Sequence, residues 1–194
     1  CKGSRHQADA HHVFIRKHIM KTFFQFNEAF DSSYKFNGKK VAEDEYSYGF
    51  DSEFTGKDGK TERSRLDVDI VGSENADDDE HYMWDLGFSR RSKKVLTKFG
   101  KEYTTLGKAS YDVTGGGDAL KIFSTVMKIC DDFIKKEDPK YVSFGAEKPK
   151  GSDSKTLASR EKLYLRMSKK FFGKKFKIIV KSTPQQSVFY LEKR

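Results

Sequence analysis

The sequence predicts an α+β fold, in which helices pack on one mixed, mostly antiparallel sheet. Apolar and polar residues alternate through much of the first half, as they do in half-buried strands. From Ala119 onward the apolar residues recur at steps of three and four, which indicates an amphipathic helix. The second half then alternates between the two patterns. The resulting order of strands, helix, strand, helix, strand, strand is typical of a layered α+β domain.

The size and composition of the chain suit one ordinary domain. Its 194 residues are 36% hydrophobic and 14% aromatic, with only 3 prolines, so a core can form and most of the chain should be folded. No apolar run of about 18 residues is present, so no membrane partner is expected. The two cysteines, Cys1 and Cys130, are far apart in sequence, so a disulfide framework is not expected. A reducing cytoplasm is the expected location.

The first 19 residues differ from the rest and are expected to be a disordered leader or added sequence. They are polar and hold four of the five histidines, and Met20 follows them. Residues 20–194 are therefore predicted to form the single folded domain.

Strand patterns dominate the first half after one short helix. Phe23, Phe26 and Phe30 have helical spacing, which predicts a helix at 22–30. In LDVDIV, at 66–71, every second residue is apolar, which indicates a strand with one face in solvent. A Lys-Asp-Gly-Lys turn joins this strand to the one before it as a hairpin. The strands predicted in this half cover 46–55, 66–71, 82–88, 95–99 and 103–113. The last two are predicted to form a second strand pair across a Gly100-Lys101 turn.

The second half contains two longer helices. The first is predicted at 119–134 and ends before Pro139, because the residue before a proline disfavours helical backbone. The second is predicted at 154–172, where Leu157, Leu165 and Phe172 lie along one side. Strands are predicted at 140–146, 175–181 and 187–191.

Charge is distributed unevenly along a chain whose net charge is +9. Residues 41–80 hold 14 acidic and 4 basic side chains, whereas residues 147–194 hold 14 basic and 4 acidic ones. The basic C-terminal third could attract the phosphates of nucleic acid or of a small ligand. It could equally be a solvated surface that offsets the acidic one.

Three consecutive glycines separate a predicted strand from the helix that begins at Ala119, in the segment DVTGGGDAL. Glycines let a backbone approach a phosphate closely, and the first N–H groups of a helix carry positive partial charge. Asp118 works against this interpretation, because as an N-cap it would satisfy those N–H groups itself. The alternative is a capped helix entry after a flexible turn.

The succession of elements over residues 80–194 resembles the coenzyme-binding half of the GNAT acyltransferase family. Two motifs carry the resemblance: the glycine loop, with Thr114 where the family has Gln or Arg, and the Leu163-Tyr164 pair in the last helix. The resemblance extends to uncharacterised GNAT-like proteins of tailed bacteriophages. It implies acetyl-CoA as cofactor, and an amine on a small molecule or protein as acceptor.

The resemblance also assigns roles to individual residues. Tyr164 would act as general acid toward the coenzyme thiolate, and Glu102 as general base, with Asp85 and Asp112 as alternatives. The other implied coenzyme-binding residues are Thr114, Gly115, Gly116, Gly117, Asp118, Ala119 and Arg160, with Lys148, Lys150, Lys155 and Lys162 as further phosphate ligands.

Two other functions remain open from the sequence. A GNAT-shaped protein without catalysis could serve as a virion component or bind nucleic acid through the basic C-terminal third. A weaker possibility is a small inhibitor whose acidic hairpin mimics nucleic acid. The location would then be the host cytoplasm or the virion.

A metal site is not predicted. The acidic run 77–81 lacks the spaced oxygens and central glycine of a calcium loop, so a solvated turn is expected. His81 is the only histidine outside the first 19 residues, too few for a zinc site or a histidine triad. Cys130 falls on the apolar side of its predicted helix and should be buried and inert.

Overall fold

A computed structural model describes residues 32–55, 58–75, 78–99, 101–110, 118–147, 154–183 and 186–194, with backbone alone at 110, 147 and 154–160. Over these residues the chain forms eight strands and two helices. The strands are β1 (Asn37–Ala42), β2 (Glu45–Thr55), β3 (Thr61–Ser73), β4 (Met83–Lys98), β5 (Lys101–Ser110), β6 (Tyr141–Glu147), β7 (Phe176–Ser182) and β8 (Gln186–Lys193). The helices are α1 (Ala119–Glu137), between β5 and β6, and α2 (Ser154–Phe172), between β6 and β7.

All eight strands belong to one mixed sheet. Its order is β1-β2-β3-β4-β6-β8-β7, and β5 pairs with β4 outside this path. Every pairing is antiparallel except that of β4 with β6, which covers only four residue pairs and ends at Leu86 and Phe144. Beyond that point Gly87 pairs with β3 alone among the described strands. The edges of β4 and β6 therefore separate after a short parallel contact.

The core lies on one face of the sheet. Alternate residues of β2, β3 and β4 are buried there, and most of the buried residues of α1 are apolar. Phe133 of α1 contacts the sheet, with its ring centroid 5.3 Å from that of Tyr46 and 5.0 Å from that of Trp84. On α2, Tyr164 contacts Phe189 of β8 edge to face, at 6.1 Å between centroids.

The predicted α+β, GNAT-like fold class is wrong, because the structure is dominated by its sheet. Strands make up 57% of the residues whose side chains the structure describes, and the two helices are too few to form a layer comparable with the eight-stranded sheet. The strands extend further than predicted, and the clearest case is the basic run that follows Phe88. Predicted strands at 82–88 and 95–99 are in fact one strand of 16 residues. Its cations stay in the sheet because Arg91 pairs with Asp67 on β3 and Lys93 pairs with Asp51 on β2.

Most of the other predicted elements are present in the structure. The hairpins at 46–71 and 95–110 and both long helices are present, each with slightly different ends. β1 was not predicted, because it is polar and exposed throughout and so lacks an alternating pattern. The helix predicted at 22–30 lies outside the described residues. Among the helices that the structure describes, none is long and apolar enough to cross a membrane.

Candidate functional site

The predicted coenzyme corner is described only in part. Thr114, Gly115, Gly116 and Gly117 lie outside the described residues, as does the side chain of Arg160. The described part is Asp118, which precedes α1, and Ala119, its first residue. Asp118 is 6% exposed and makes no side-chain hydrogen bond to the helix N–H groups. Its Oδ1 is buried without a partner among the described residues.

Tyr34 covers this corner, and no sequence pattern predicted it there. Its hydroxyl donates a hydrogen bond to Oδ2 of Asp118 at 3.3 Å, and its ring stacks on Phe50 at 5.8 Å. Lys121 Nζ lies 4.1 Å from the centre of the same ring. Burial and the adjacent Asp118 carboxylate raise the pKa of Tyr34 to about 12. A buried carboxylate at the head of a helix repels an anion, so the described part of the corner does not favour a diphosphate.

The two predicted catalytic residues belong to different parts of the molecule. Tyr164 is half-buried on α2, and its ring stacks on Phe123 of α1 with 4.3 Å between centroids. Glu102 is exposed on β5, opposite Thr97 of β4 and one pair away from the turn. No described contact brings the two together. Of the alternative bases, Asp112 lies outside the described residues.

Asp85, the other alternative base, lies on the sheet face that the helices leave uncovered. It is opposite Ser143 of β6, whose hydroxyl donates a hydrogen bond to its carboxylate. Partial burial raises the pKa of Asp85 above its usual value. Asp85 is thus a strand carboxylate held by its cross-strand neighbour.

The acidic turn between β3 and β4 is held by hydrogen bonds and ion pairs. Asp78 accepts hydrogen bonds from Lys140, His81 and Tyr141, and these, with Lys140 first, lower its pKa below the usual range. A cavity of about 440 Å³ lies beside the turn, lined by Glu74, Asn75, Asp79, Glu80, His81 and Tyr82. Within the described ranges no group of three or more His, Cys, Asp or Glu side chains could hold a metal ion.

The most distinctive surface is a two-stranded ribbon formed by the outer halves of β4 and β5. We define the ribbon as residues 93–99 and 101–106, in which Lys93 pairs with Leu106 and Lys98 with Lys101. None of its residues is buried, and an irregularity in the pairing between Arg91 and Lys93 separates it from the body of the sheet. At about 3.3 Å per residue its six paired positions span about 20 Å.

Basic residues near the ribbon divide into two groups. At its root, Arg90 donates to Ser64 and lies near Glu62, Arg91 pairs with Asp67, and Lys93 pairs with Asp51. Farther out, Lys94, Lys98 and Lys101 form no ion pair with any residue that the structure describes. The root cations thus attach the ribbon to the sheet, and the outer ones are available to a partner.

The outer lysines share one face of the ribbon with apolar side chains. Residues directly opposite each other in an antiparallel pair lie on the same face, and alternate pairs share it. This face, which we call the lysine face, consists of the pairs Lys94–Thr105, Leu96–Tyr103 and Lys98–Lys101. Leu96 is 44% exposed and Tyr103 48% exposed. The opposite face carries the pair Thr97–Glu102 and has no excess of positive charge.

Phe99 stands at the tip of the ribbon. It is 99% exposed, and its φ of +53° is in the left-handed region, which is costly for a side chain of this size. The pair Lys98–Lys101 leaves only residues 99 and 100 for the turn. Two-residue turns with positive φ favour Asn, Asp or Gly at the first position, so a phenylalanine there is unusual.

The basic C-terminal third differs from the ribbon in the pairing of its cations and the burial of its aromatic side chains. Lys177 pairs with Glu192 and Lys193 with Asp138, and Lys181 Nζ lies 5.1 Å from the ring centre of Tyr190. Phe172 and Phe176 are each 2% exposed, so neither can stack on a base. Exposed cations of this third remain on and after α2, at Lys162, Lys169, Lys174 and Lys175.

In comparisons with known proteins, no family model, curated protein or solved structure matches the chain.

Proposed function

We propose that this protein binds nucleic acid without catalysis, through the lysine face of the ribbon. The observation that carries the proposal is the placement of Lys94, Lys98 and Lys101. They share one exposed face with Leu96 and Tyr103, and no described carboxylate neutralises them. Phosphates supply the negative charge that neutralises such lysines, and bases or sugars can cover the apolar side chains beside them.

Two energetically unfavourable features at the tip of the ribbon indicate that it binds a partner and is not merely a solvated arm. Lys98 and Lys101 lie directly opposite each other, an arrangement that is destabilising for like charges in a strand pair. Phe99 next to them combines full exposure with a left-handed backbone. Positions that violate local preferences in a folded chain are commonly functional ones. A polyanion bound at the tip would relieve the repulsion and cover the ring.

The ribbon is also a better candidate for the nucleic-acid-binding surface than the basic C-terminal third. Both surfaces are basic, but Phe172 and Phe176 are buried in the core, whereas Leu96, Phe99 and Tyr103 are exposed beside lysines. The exposed C-terminal cations on and after α2 therefore serve as the matched control for the ribbon.

The test measures how binding of a labelled oligonucleotide depends on salt. Replacing Lys94, Lys98 and Lys101 together by Ala is expected to weaken binding and to reduce the slope of log K against log salt by about 2 to 3, at roughly 0.9 per lost phosphate contact in duplex DNA. Replacing Lys169, Lys174 and Lys175 by Ala removes the same charge elsewhere. An equal or greater effect of this second variant would place the interface at the C-terminal end of α2 and the turn that follows it, and would refute the ribbon.

Acyl transfer stays a prediction from the sequence. The separation of β4 from β6 after Leu86 leaves part of the β4 edge without a partner among the described strands, as a strand beside a coenzyme would need. The buried carboxylate of Asp118 opposes a diphosphate at the head of α1. Calorimetry with acetyl-CoA tests this prediction independently of nucleic-acid binding.

A further inference from the structure

The tip of the ribbon identifies the class of nucleic acid, if the proposed function holds. We propose that the ribbon enters a groove of duplex DNA and that Phe99 inserts as a wedge between two neighbouring base pairs, bending the helix. The inference rests on the exposure of Phe99, its backbone conformation and the lysines that flank it, Lys98 and Lys101.

The ribbon has the dimensions for a groove. A two-stranded β-ribbon fits the major groove of B-form DNA, which is about 12 Å wide. The six paired positions, about 20 Å long, match about six base-pair steps at 3.4 Å each. A-form RNA has a deep, narrow major groove that does not admit such an element, which favours DNA.

The aromatic content of the ribbon favours a duplex over a single strand. Proteins that hold single strands stack successive bases on several aromatic side chains along a groove. Here the ring at the end of the ribbon is Phe99 alone, and the nearest other aromatic residue, Tyr103, lies two pairs back beside Leu96. Proteins in the minor groove insert single apolar side chains at one base step, which unstacks the bases and kinks the helix. A single ring at the end of a basic arm is suited to unstack one step in the same way from the major groove.

The backbone conformation of Phe99 indicates that its ring has a role other than stabilising the fold. Phe99 makes none of the described ring contacts, and its positive φ would be adopted at lower cost by Asn or Gly. Folding alone therefore favours another residue at this position. Insertion between bases would bury the ring and provide the reason for its presence.

The decisive variant is Phe99→Asn, because it suits the turn and removes the wedge. Wild type and variant are compared on one duplex that carries end-attached fluorophores for bending and an internal 2-aminopurine for unstacking. We expect the variant to melt at the same temperature or higher, to bind about tenfold more weakly, and to lose both the bending and the 2-aminopurine signal. Phe99→Leu, which keeps an apolar wedge, is expected to retain part of both signals.

Several results would overturn the inference. If wild type binds duplex DNA but neither bends it nor changes 2-aminopurine fluorescence, insertion is refuted while the proposed function stands. The same holds if Phe99→Asn keeps full affinity and bending, or if single strands bind more tightly than the duplex. If no nucleic acid binds, or the Lys94, Lys98 and Lys101 replacement has no effect, the ribbon interface itself is refuted.

Discussion

Arg91 on β4 donates a hydrogen bond from Nε to Oδ2 of Asp67 on β3, with 3.0 Å between the two atoms. Asp67 also accepts from Arg65 of its own strand at 3.3 Å, so one carboxylate holds two guanidinium groups where the ribbon leaves the sheet. Lys93 and Asp51 form the next such pair, at 2.9 Å. These contacts allow a strand crowded with cations to continue beyond the body of the protein.

Asp67→Asn is therefore expected to destabilise the root of the ribbon. Loss of a partly exposed carboxylate that serves two arginines should lower the free energy of unfolding by about 1 kcal/mol. Urea unfolding at neutral pH measures the change. Asp69→Asn is the matched control, since Asp69 is on the same strand and its described contact is a single hydrogen bond from Ser47. A larger loss in the control would contradict the role given to Asp67.

Alkaline pH should destabilise the protein through tyrosines whose pKa is raised in the fold, among them the buried Tyr46 and the half-buried Tyr34. Burial and the hydrogen bond to Glu137 raise the pKa of Tyr46 to about 12, and burial with Asp118 raises that of Tyr34 to about 12. The unfolded value is about 10, so the stabilising contribution is complete below pH 10 and is lost as the pH rises through 12. Urea unfolding between pH 8 and about 12 should show this decline, and it should be smaller in Tyr46→Phe.

An undiminished decline in Tyr46→Phe would assign the alkaline effect to other groups. Tyr82→Phe serves as the control, because Tyr82 is 49% exposed and its replacement should leave the decline unchanged.

Local sequence patterns were sufficient for the elements whose residues interact mainly with their own segment. α1 begins at Ala119, where the apolar period changes, and its predicted face holds the buried Ile122, Val126, Cys130 and Phe133. The hairpin at the ribbon was predicted from its two strand-like segments and the turn at residue 100. In these segments, periodicity and turn residues report the structure directly.

Long-range contacts account for what the sequence did not predict. The run from Arg90 to Lys94 ends the apolar alternation, and only the positions of Asp51 and Asp67 on other strands show why β4 continues. Tyr34 reaches Asp118 across 84 positions, which no local pattern indicates. One local signal for the ribbon was present: Phe99 stands between two lysines at a turn position where Asn or Gly is usual.

Cys130 should be protected from reagents in the native protein. It is fully buried on α1, and burial raises the pKa of its thiol above the usual value, which lowers the thiolate fraction. In a Cys1→Ser background, alkylation by iodoacetamide should be slower in buffer than in urea by about a thousandfold or more, following the small unfolded fraction. Rapid alkylation in buffer would show that α1 opens readily or does not cover the sheet.

Phe133→Ala tests whether α1 stabilises the sheet. The ring of Phe133 is fully buried against Tyr46 and Trp84, so its removal leaves a cavity between helix and sheet. Such truncations typically cost about 3 to 5 kcal/mol, and urea unfolding followed by Trp84 fluorescence measures the loss. Leu96→Ala is the control, since Leu96 is 44% exposed on the ribbon and its truncation should change stability by less than about 0.5 kcal/mol. Equal effects of the two substitutions would mean that α1 adds little to the core. The sheet would then owe its stability to its own strand pairs and the contacts of α2.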